Sequence, residues 1–261
     1  MRTERVFVAG LPILRADAGQ ALDLLWDDIR TRAATVYVFV NGQSASLRRQ
    51  EGYRGALESP AVVPLPDGVP LAIGARLTGQ GGVGRCAGPD FLEMASARAA
   101  GDGTAFFLLG GAPGVATELQ TALIARHPGL GIVGTATPPF GEWSDEESSR
   151  LVEEVASSGA DVVWLGISAP KQETWALRWR EQIGRPTVCV GAAFDFLSGR
   201  KPRAPRWMRR TGLEWLFRLG SEPARLWRRY LVGNSVFIAD LVRFRGRPPE
   251  RDLDSRPEED R

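Results

Sequence analysis

Residues 104–123 have the sequence TAFFLLGGAPGVATELQTAL, which predicts a buried strand, a glycine turn and an amphipathic helix in direct succession. Gly110, Gly111 and Gly114 let the backbone of this turn approach a ligand closely. The helix that begins near Pro113 offers unpaired N–H groups and the positive end of its dipole. This combination suits a pyrophosphate. The spacing is not GxGxxG, however, and the same glycines can serve only to pack the strand against the helix, so both interpretations stay open.

Short apolar runs and helical patterns alternate on both sides of this stretch. The apolar runs are rich in Val, Ile and Phe and are bounded by Gly, Pro or polar residues, as buried strands are. Ser144 and Glu147 have the spacing of a capping box at the start of one helix. Such alternation is typical of a parallel sheet covered on both faces. We therefore predict an α/β fold with a Rossmann-like, mostly parallel sheet, with strands at 36–40, 61–65, 105–109, 131–133, 162–165 and 187–190 and helices that include 18–30, 114–126 and 145–158.

The segment GIVGTATPPF (131–140) argues against a dinucleotide cofactor. A Rossmann dehydrogenase carries an acidic residue at the end of the strand that follows the glycine turn, where it binds a ribose hydroxyl. This segment offers no carboxylate. An NAD-dependent oxidoreductase is therefore disfavoured, whereas a UDP group remains compatible with the turn.

The composition excludes several other classes of protein. The 261 residues carry a formal net charge of only +2, which excludes a uniformly basic nucleic-acid binder. The two cysteines, Cys86 and Cys189, are far apart and have no CxxC or Cys/His spacing, so neither a zinc site nor a disulfide framework is expected. No run of about 18 apolar residues could span a membrane, and MRTERVFVAGLPIL (1–14) lacks the apolar stretch of a signal peptide.

The pattern changes after residue 199. Residues 200–229 contain ten basic residues but only two acidic ones, Glu214 and Glu222, and tryptophans are interleaved among them. We expect an α/β domain at 1–199, a basic helical appendage that associates with a membrane at 200–245, and a disordered, Pro-rich, charged tail at 246–261. The basic residues of the appendage are Arg200, Lys201, Arg203, Arg206, Arg209, Arg210, Arg218, Arg225, Arg228 and Arg229.

Several segments in a fixed order carry a family resemblance. Asn41 follows a predicted strand, and the chain then contains LPDGVPLA (65–72), RCAGPDF (85–91), GGAPGVA (110–116), HPGLGIVG (127–134), LGISAPKQETW (165–175), GAAFDFLSG (191–199), RAPRWMRRTGLEWLFRL (203–219) and EPARLWRRYLVGN (222–234). In this order and spacing they resemble the WecG/TagA/CpsF family of glycosyltransferases, from about residue 6 to residue 234. The resemblance implies inverting transfer from a UDP-sugar, with N-acetylmannosamine the best-known donor sugar. It also implies a polyprenyl-diphosphate-linked acceptor at the cytoplasmic membrane face.

Inverting transfer requires a base for the acceptor hydroxyl, and Asp67 is our candidate. It follows a predicted strand, where α/β sheets present ligand-binding residues, and it matches the position of the family's proposed base. The alternative is that Pro66-Asp67-Gly68 forms an ordinary turn. Asn41 is expected to bind a sugar hydroxyl, or else only to close its strand. Gln172 is expected to bind the sugar, with Lys171 and Glu173 beside it as further candidates; Lys171 is either a ligand or a solvated loop charge. Arg85 is expected to contact a phosphate or to form a surface ion pair.

Positive charge is also needed to stabilise the departing UDP, and we expect Arg225, Arg228 and Arg229 to provide it. Their alternative role is attraction to an anionic membrane surface. The one DxD sequence, Asp252-Leu253-Asp254, lies in the predicted tail. We therefore expect neither a metal ion nor a cofactor.

Two departures from the family pattern leave the donor hexose open. Phe39 stands where the family often has Thr, and the DGxG sequence becomes Asp67-Gly68-Val69-Pro70. The DGxP form, together with the GPD segment at 88–90, resembles the branch of the family associated with exopolysaccharide assembly.

Three classes of function compete at this point. The main hypothesis is a peripheral enzyme on the inner face of the cell membrane. The alternatives are a catalytically inactive adaptor that holds polyprenyl substrates and a nucleic-acid binder that uses the basic appendage. The sequence does not decide whether the chain forms a homo-oligomer.

Overall fold

The computed structural model describes residues 4–221 and 223–249, and within this part it describes only the backbone of Arg206, Arg210, Arg225, Leu226 and residues 228–231. A six-stranded sheet lies at its centre, with the strand order β4-β3-β8-β7-β5-β6, and all its pairs are parallel. The strands of this sheet are β3 (Val36–Val40), β4 (Val62–Pro66), β5 (Ala105–Gly110), β6 (Gly131–Ala136), β7 (Val162–Gly166) and β8 (Thr187–Cys189).

Helices cover both faces of this sheet. The two faces form separate apolar clusters, one containing Val38 and Leu165 and the other containing Tyr37 and Trp164. Such burial on both faces is why these strands have near-continuous apolar sequences. The helices are α1 (Ala18–Thr31), α2 (Ser44–Leu47), α3 (Glu51–Glu58), α4 (Val69–Leu77), α5 (Gly88–Asp102), α6 (Val115–Arg126), α7 (Asp145–Ser157), α8 (Lys171–Ile183), α9 (Ala193–Leu197), α10 (Arg206–Thr211), α11 (Glu214–Ser221) and α12 (Pro223–Phe244).

The predicted fold class is confirmed. All six predicted strands are present; the bounds of β3 are as predicted, and the ends of the other five shift by at most three residues. The capping box of α7 has both of its hydrogen bonds, since the N–H of Ser144 donates to Glu147 Oε2 at 2.8 Å and the N–H of Glu147 donates to Ser144 Oγ at 3.2 Å.

An antiparallel hairpin near the start of the chain was not predicted. Its strands are β1 (Arg5–Val8) and β2 (Leu11–Leu14), paired so that Val8 faces Leu11. Ala9 and Gly10 form the turn with φ of +52° and +68°. Positive φ at both central residues is the conformation that fits the twist of a two-residue hairpin.

Strand β4 forms one edge of the main sheet. Pro64 and Pro66 face Val38 and Val40 in the register with β3. Proline cannot donate a hydrogen bond, so in a sheet it is confined to edges and bulges.

The helices after residue 205 pack against the α/β core at several points. Asp240 of α12 forms a buried ion pair with Arg48 at 2.9 Å, and Phe237 is buried in the core. A Cβ at Gly212 would lie only 2.8 Å from Cβ of Val69, so the turn between α10 and α11 contacts the start of α4 closely. Within the described residues, no helix is both long and apolar enough to cross a membrane. The expected tail at 246–261 lies outside the described residues from residue 250 onward.

Candidate active site

Asp67 directly follows β4 and lies beside Asn41, which follows the neighbouring strand β3. The backbone N–H of Asp67 donates to the carbonyl of Val40 at 2.7 Å, which extends the ladder between the two strands by one residue. Nδ2 of Asn41 donates to Oδ2 of Asp67 at 3.4 Å, while Oδ1 of Asn41 accepts from the N–H of Gln43 at 3.0 Å. The structure thus brings together two of the predicted site residues at the carboxyl end of the sheet, where α/β folds bind ligands.

The environment of Asp67 favours a basic carboxyl group. Burial raises the pKa of Asp67 to about 6, and the negative charge of Glu214 adds to the rise. The hydrogen bond from Asn41 and the positive charges of Arg85 and Arg218 oppose it. A carboxyl group with this pKa is ionised at neutral pH and is still basic enough to accept a proton from a substrate.

A cluster of charges connects Arg85 to the helices after residue 205. Arg85 pairs with Glu214 at 3.3 Å and with Asp90 at 3.7 Å. Asp90 also pairs with Arg203 at 2.8 Å and with Arg209 at 3.0 Å. Three arginines and two acids give this cluster a formal charge of +1. Nε of Arg203 lies 3.7 Å from Oε1 of Glu214. Nη2 of Arg203 and Nε of Arg209 are buried without a hydrogen-bond partner in the described residues.

Arg85 is therefore an ion-pairing residue in this structure, and the contact with a phosphate stays a prediction. Glu214, Arg203, Arg209 and Arg218 were not singled out from the sequence as site residues. No local pattern connects them to Asp67, and the only available signal was their membership of the family motif at 203–219.

Gln172 and Glu173 form a buried pair at the start of α8, only 6% and 1% exposed. Nε2 of Gln172 donates to Oε1 of Glu173 at 2.8 Å. Oε1 of Gln172 and Oε2 of Glu173 have no hydrogen-bond partner among the described residues. A Cβ at Gly191 would lie 3.7 Å from both polar atoms of the Gln172 amide, which places Gln172 beside the end of β8. Burial raises the pKa of Glu173 to about 7.

Lys171 serves the neighbouring loop. Its Nζ lies 3.7 Å from the centroid of the Trp143 ring and donates a hydrogen bond to the carbonyl of Gly141. Burial lowers the pKa of Lys171, against the opposing charges of Glu142 and Glu147. The side chain thus anchors the loop between β6 and α7, and binding of substrate by Lys171 remains a prediction.

The glycine turn after β5 is tightly packed. A Cβ at Gly110 would lie 2.7 Å from the backbone of Gly166 on β7, and the N–H of Gly111 donates to the carbonyl of Gly166 at 2.9 Å. Helix α6 begins at Val115, and Arg200 donates to the carbonyl of Pro113 at 2.9 Å. These contacts support the packing alternative for Gly110 and Gly111, and a contact with phosphate stays a prediction.

A cavity of about 330 Å³ lies between α9 and α11. The guanidinium of Arg218 is 5.1 Å from the centroid of the Phe196 ring, and Lys201 pairs with Asp195 at 3.4 Å. The positive charge of Arg218 also lowers the pKa of Asp67. It is lined by Phe196, Lys201, Pro202, Arg218 and Ser221.

The remaining predicted cations cannot be placed. The side chains of Arg225, Arg228 and Arg229 lie outside the described residues. Within the described part, no group of three or more His, Cys, Asp or Glu residues has an arrangement that could hold a metal ion.

A parallel sheet with a basic carboxyl group, amides and arginines gathered at its carboxyl end defines an α/β enzyme that binds its substrate at the strand ends. The model of the Glycosyl transferase WecG/TagA/CpsF family matches residues 6–251, and the chain belongs to this family. It is therefore a glycosyltransferase, with a role in cell-surface polysaccharide synthesis from a nucleotide-sugar donor and a lipid-linked acceptor. The family resemblance predicted from the sequence is confirmed, and the enzyme is favoured over the adaptor and the nucleic-acid binder.

Proposed function

We propose that this chain is an inverting glycosyltransferase that transfers a hexose from a UDP-sugar to a polyprenyl-diphosphate-linked sugar. N-acetylmannosamine or another hexose is the donor sugar. The reaction takes place at the cytoplasmic face of the membrane, where the enzyme binds peripherally, and it needs neither a metal ion nor a cofactor.

The main observation that supports this proposal is the position of Asp67. Its carboxyl group lies at the end of β4, next to the amide of Asn41, and its pKa is raised to about 6 by burial and by Glu214. A general base works best when its pKa is near the operating pH, since it must be ionised and still attract the proton.

In the proposed step, Asp67 accepts the proton of the acceptor hydroxyl as the hydroxyl oxygen attacks the anomeric carbon of the donor. The new bond joins that oxygen to the anomeric carbon, and the bond from this carbon to the diphosphate oxygen breaks. The electron pair leaves with UDP. Attack from the face opposite the leaving group inverts the anomeric configuration.

The negative charge that develops on UDP requires nearby cations. Arg85 and Arg218 both exert a positive field on Asp67, which supports a leaving-group site within the same region. Guanidinium groups bind phosphate in a bidentate geometry. We assign Arg225, Arg228 and Arg229 to the diphosphates of the donor or the acceptor, and the glycine turn at Gly110 and Gly111 to the donor side. Asn41, Gln172 and Lys171 contact the sugar.

Binding to the membrane surface is supported by apolar side chains on α10, α11 and α12. Trp207 is 60% exposed and Ile238 is 61% exposed. Tryptophan rings favour the interface of a bilayer, and basic residues add attraction to anionic lipid. The exposed apolar residues of these helices are Trp207, Trp215, Leu216, Trp227, Val232, Ile238 and Val242.

The proposal is tested by transfer of radiolabelled sugar from a panel of UDP-hexoses to a short-chain polyprenyl-diphosphate-linked acceptor. Asp67→Asn should lower kcat by about 10²-fold or more, since a general base contributes at least this factor. Asp27→Asn, in an exposed ion pair on α1, removes the same charge and should leave the rate unchanged. Full activity in Asp67→Asn would exclude Asp67 as the base, and retention of the anomeric configuration in the product would exclude the inverting step.

A further inference from the structure

The Gln172–Glu173 pair leaves one hydrogen-bond acceptor of Gln172 without a partner. A buried polar atom that makes no hydrogen bond costs free energy, and native proteins satisfy nearly all of them. Oε1 of Gln172 is such an atom, and the amide that carries it lies beside Gly191 at the end of β8. Strand β8 pairs with β3, which leads to Asn41. A ligand at this end of the sheet would satisfy the vacant acceptor.

The orientation of the Gln172 amide depends on Glu173. The ionised carboxylate can only accept hydrogen bonds. Above the Glu173 pKa of about 7 the amide must therefore present Nε2 to Oε1 of Glu173, as it does at 2.8 Å. Oε1 of Gln172 is then the atom left for other partners. With an apolar residue at position 173 the amide would lose this constraint and could present either atom.

The charge of Glu173 reaches two neighbouring elements. After burial, it is the second cause that raises the pKa of Tyr53 on α3 and of the Cys189 thiol on β8. The hydroxyl of Tyr53 donates to Ser44 Oγ at 2.9 Å, and Ser44 Oγ accepts from the backbone N–H of Asn41 at 3.1 Å. These two hydrogen bonds connect Tyr53 to the backbone of Asn41 in the candidate site.

We propose that Glu173 is a positioning residue, which turns the amide of Gln172 so that Oε1 faces the donor sugar as a hydrogen-bond acceptor. This inference rests on the proposed function, in which Gln172 is a sugar ligand. It implies that the donor sugar presents a hydroxyl or an amide N–H to Gln172.

The test measures equilibrium binding by titration calorimetry to the full chain. The probes are UDP-N-acetylmannosamine, or the UDP-hexose that the transfer assay identifies, and UDP alone. Glu173→Met removes the acceptor at similar volume, and Glu173→Gln retains an oxygen that can accept from Gln172. Gln172→Ala and the double variant Gln172→Ala/Glu173→Met complete a double-mutant cycle.

Gln172→Ala and Glu173→Met should each weaken binding of the UDP-sugar by about tenfold, the value of one good hydrogen bond, and leave the affinity for UDP unchanged. The double variant should be no weaker than Gln172→Ala, and Glu173→Gln should stay within about threefold of the wild type. The inference would be overturned if the fold-loss of UDP-sugar affinity in the double variant equalled the product of the losses in the two single variants. It would also be overturned if Glu173→Met weakened binding of UDP as much as binding of the UDP-sugar. If Glu173→Met does not fold, Glu173→Gln decides, because a loss equal to that of Gln172→Ala contradicts the positioning role.

Failure of the proposed function would give a different pattern. Wild-type affinity for the UDP-sugar in Gln172→Ala would remove Gln172 from the sugar site and overturn the inference with it. Normal weakening in Gln172→Ala, with wild-type binding in Glu173→Met, would overturn the inference alone. The inverting step itself is tested separately through Asp67.

Discussion

Replacement of Glu214 by Gln should make Asp67 more acidic and move the pH dependence of transfer to lower pH. The pKa of Asp67 rises from 3.8 to about 6, a change of about 2 units or roughly 3 kcal/mol. Burial is the largest cause and Glu214 the second. Removal of the Glu214 charge should therefore lower the pKa of Asp67, while burial keeps it above the ordinary value of 3.8. The variant also frees Arg85 from its ion pair with Glu214, and this freed positive charge lowers the pKa of Asp67 in the same direction.

The assay is the pH dependence of kcat/KM for the UDP-sugar, which reports the ionisation of the free enzyme. The base acts in its ionised form, so activity is present above a pKa of about 6 and is lost as the pH falls through it. At about pH 5 roughly a tenth of Asp67 is ionised when its pKa is about 6. Normalised to its own plateau, Glu214→Gln should therefore be more active than the wild type at this pH, by at most about tenfold.

A control with the same change of charge separates this local effect from net charge. Glu153→Gln alters an exposed carboxylate on α7. It should leave the acid limb of the profile, the fall of kcat/KM at low pH, where it is in the wild type. An acid limb that stays in place in Glu214→Gln, or moves to higher pH, would refute the account of the Asp67 environment.

Three further predictions concern stability and the absence of a metal. Because folding raises the pKa of Asp67, the contribution of the protonated carboxyl to stability is complete below pH 3.8 and is lost as the pH rises through about 6. Asp67→Asn stays neutral at every pH, so it should raise Tm by several degrees at about pH 8 and by less at about pH 5. A lower Tm of the variant at pH 8 would contradict this. Asp240→Asn leaves Arg48 buried without its counter-charge, at a cost of about 3–5 kcal/mol in the free energy of unfolding. The variant should therefore show faster amide hydrogen exchange in α12 and α2. Unchanged exchange in these helices would show that the ion pair does not anchor α12. Transfer should survive dialysis against EDTA, and recovery of lost activity by Mg²⁺ or Mn²⁺ would disprove metal independence.

The sequence was sufficient to predict the parallel sheet because five of its six strands are buried on both faces. The exception is the edge strand β6, where Val133 is 47% exposed. Runs such as the one around Phe107 are apolar throughout, and each is bounded by Gly, Pro or polar residues. The hairpin β1–β2 was missed although Val6 and Val8 alternate with half-buried neighbours, because four-residue strands give a weak periodic signal. The turn gave no clear signal either, because Ala9-Gly10 is not one of the dipeptides typical of two-residue hairpins and Ala9 adopts a positive φ that is uncommon for alanine.

The candidate site was predictable only where a side chain directly follows a strand. Asp67 and Asn41 follow adjacent parallel strands, and the pairing of β3 with β4 brings them together. Two of the residues that change the pKa of Asp67, Glu214 and Arg218, lie on α11. No local rule specifies which face of that helix meets the sheet. Glu214 and Arg218 therefore required the tertiary structure, as did the use of Lys171 against Trp143.

The prolines of β4 limit how a strand of another chain can pair with this edge of the sheet. On the outer side of the strand, Pro64 and Pro66 have no N–H to offer, and the N–H of Val62 donates to Ser59. The carbonyl of Val62 accepts from Arg5, and that of Pro66 accepts from the N–H of Cys86 at 2.8 Å. An incoming strand would find no donors at these three residues, so strand addition and amyloid-like stacking are blocked along this border. Another chain could therefore extend this sheet only at its opposite edge, β6, and not beyond β4.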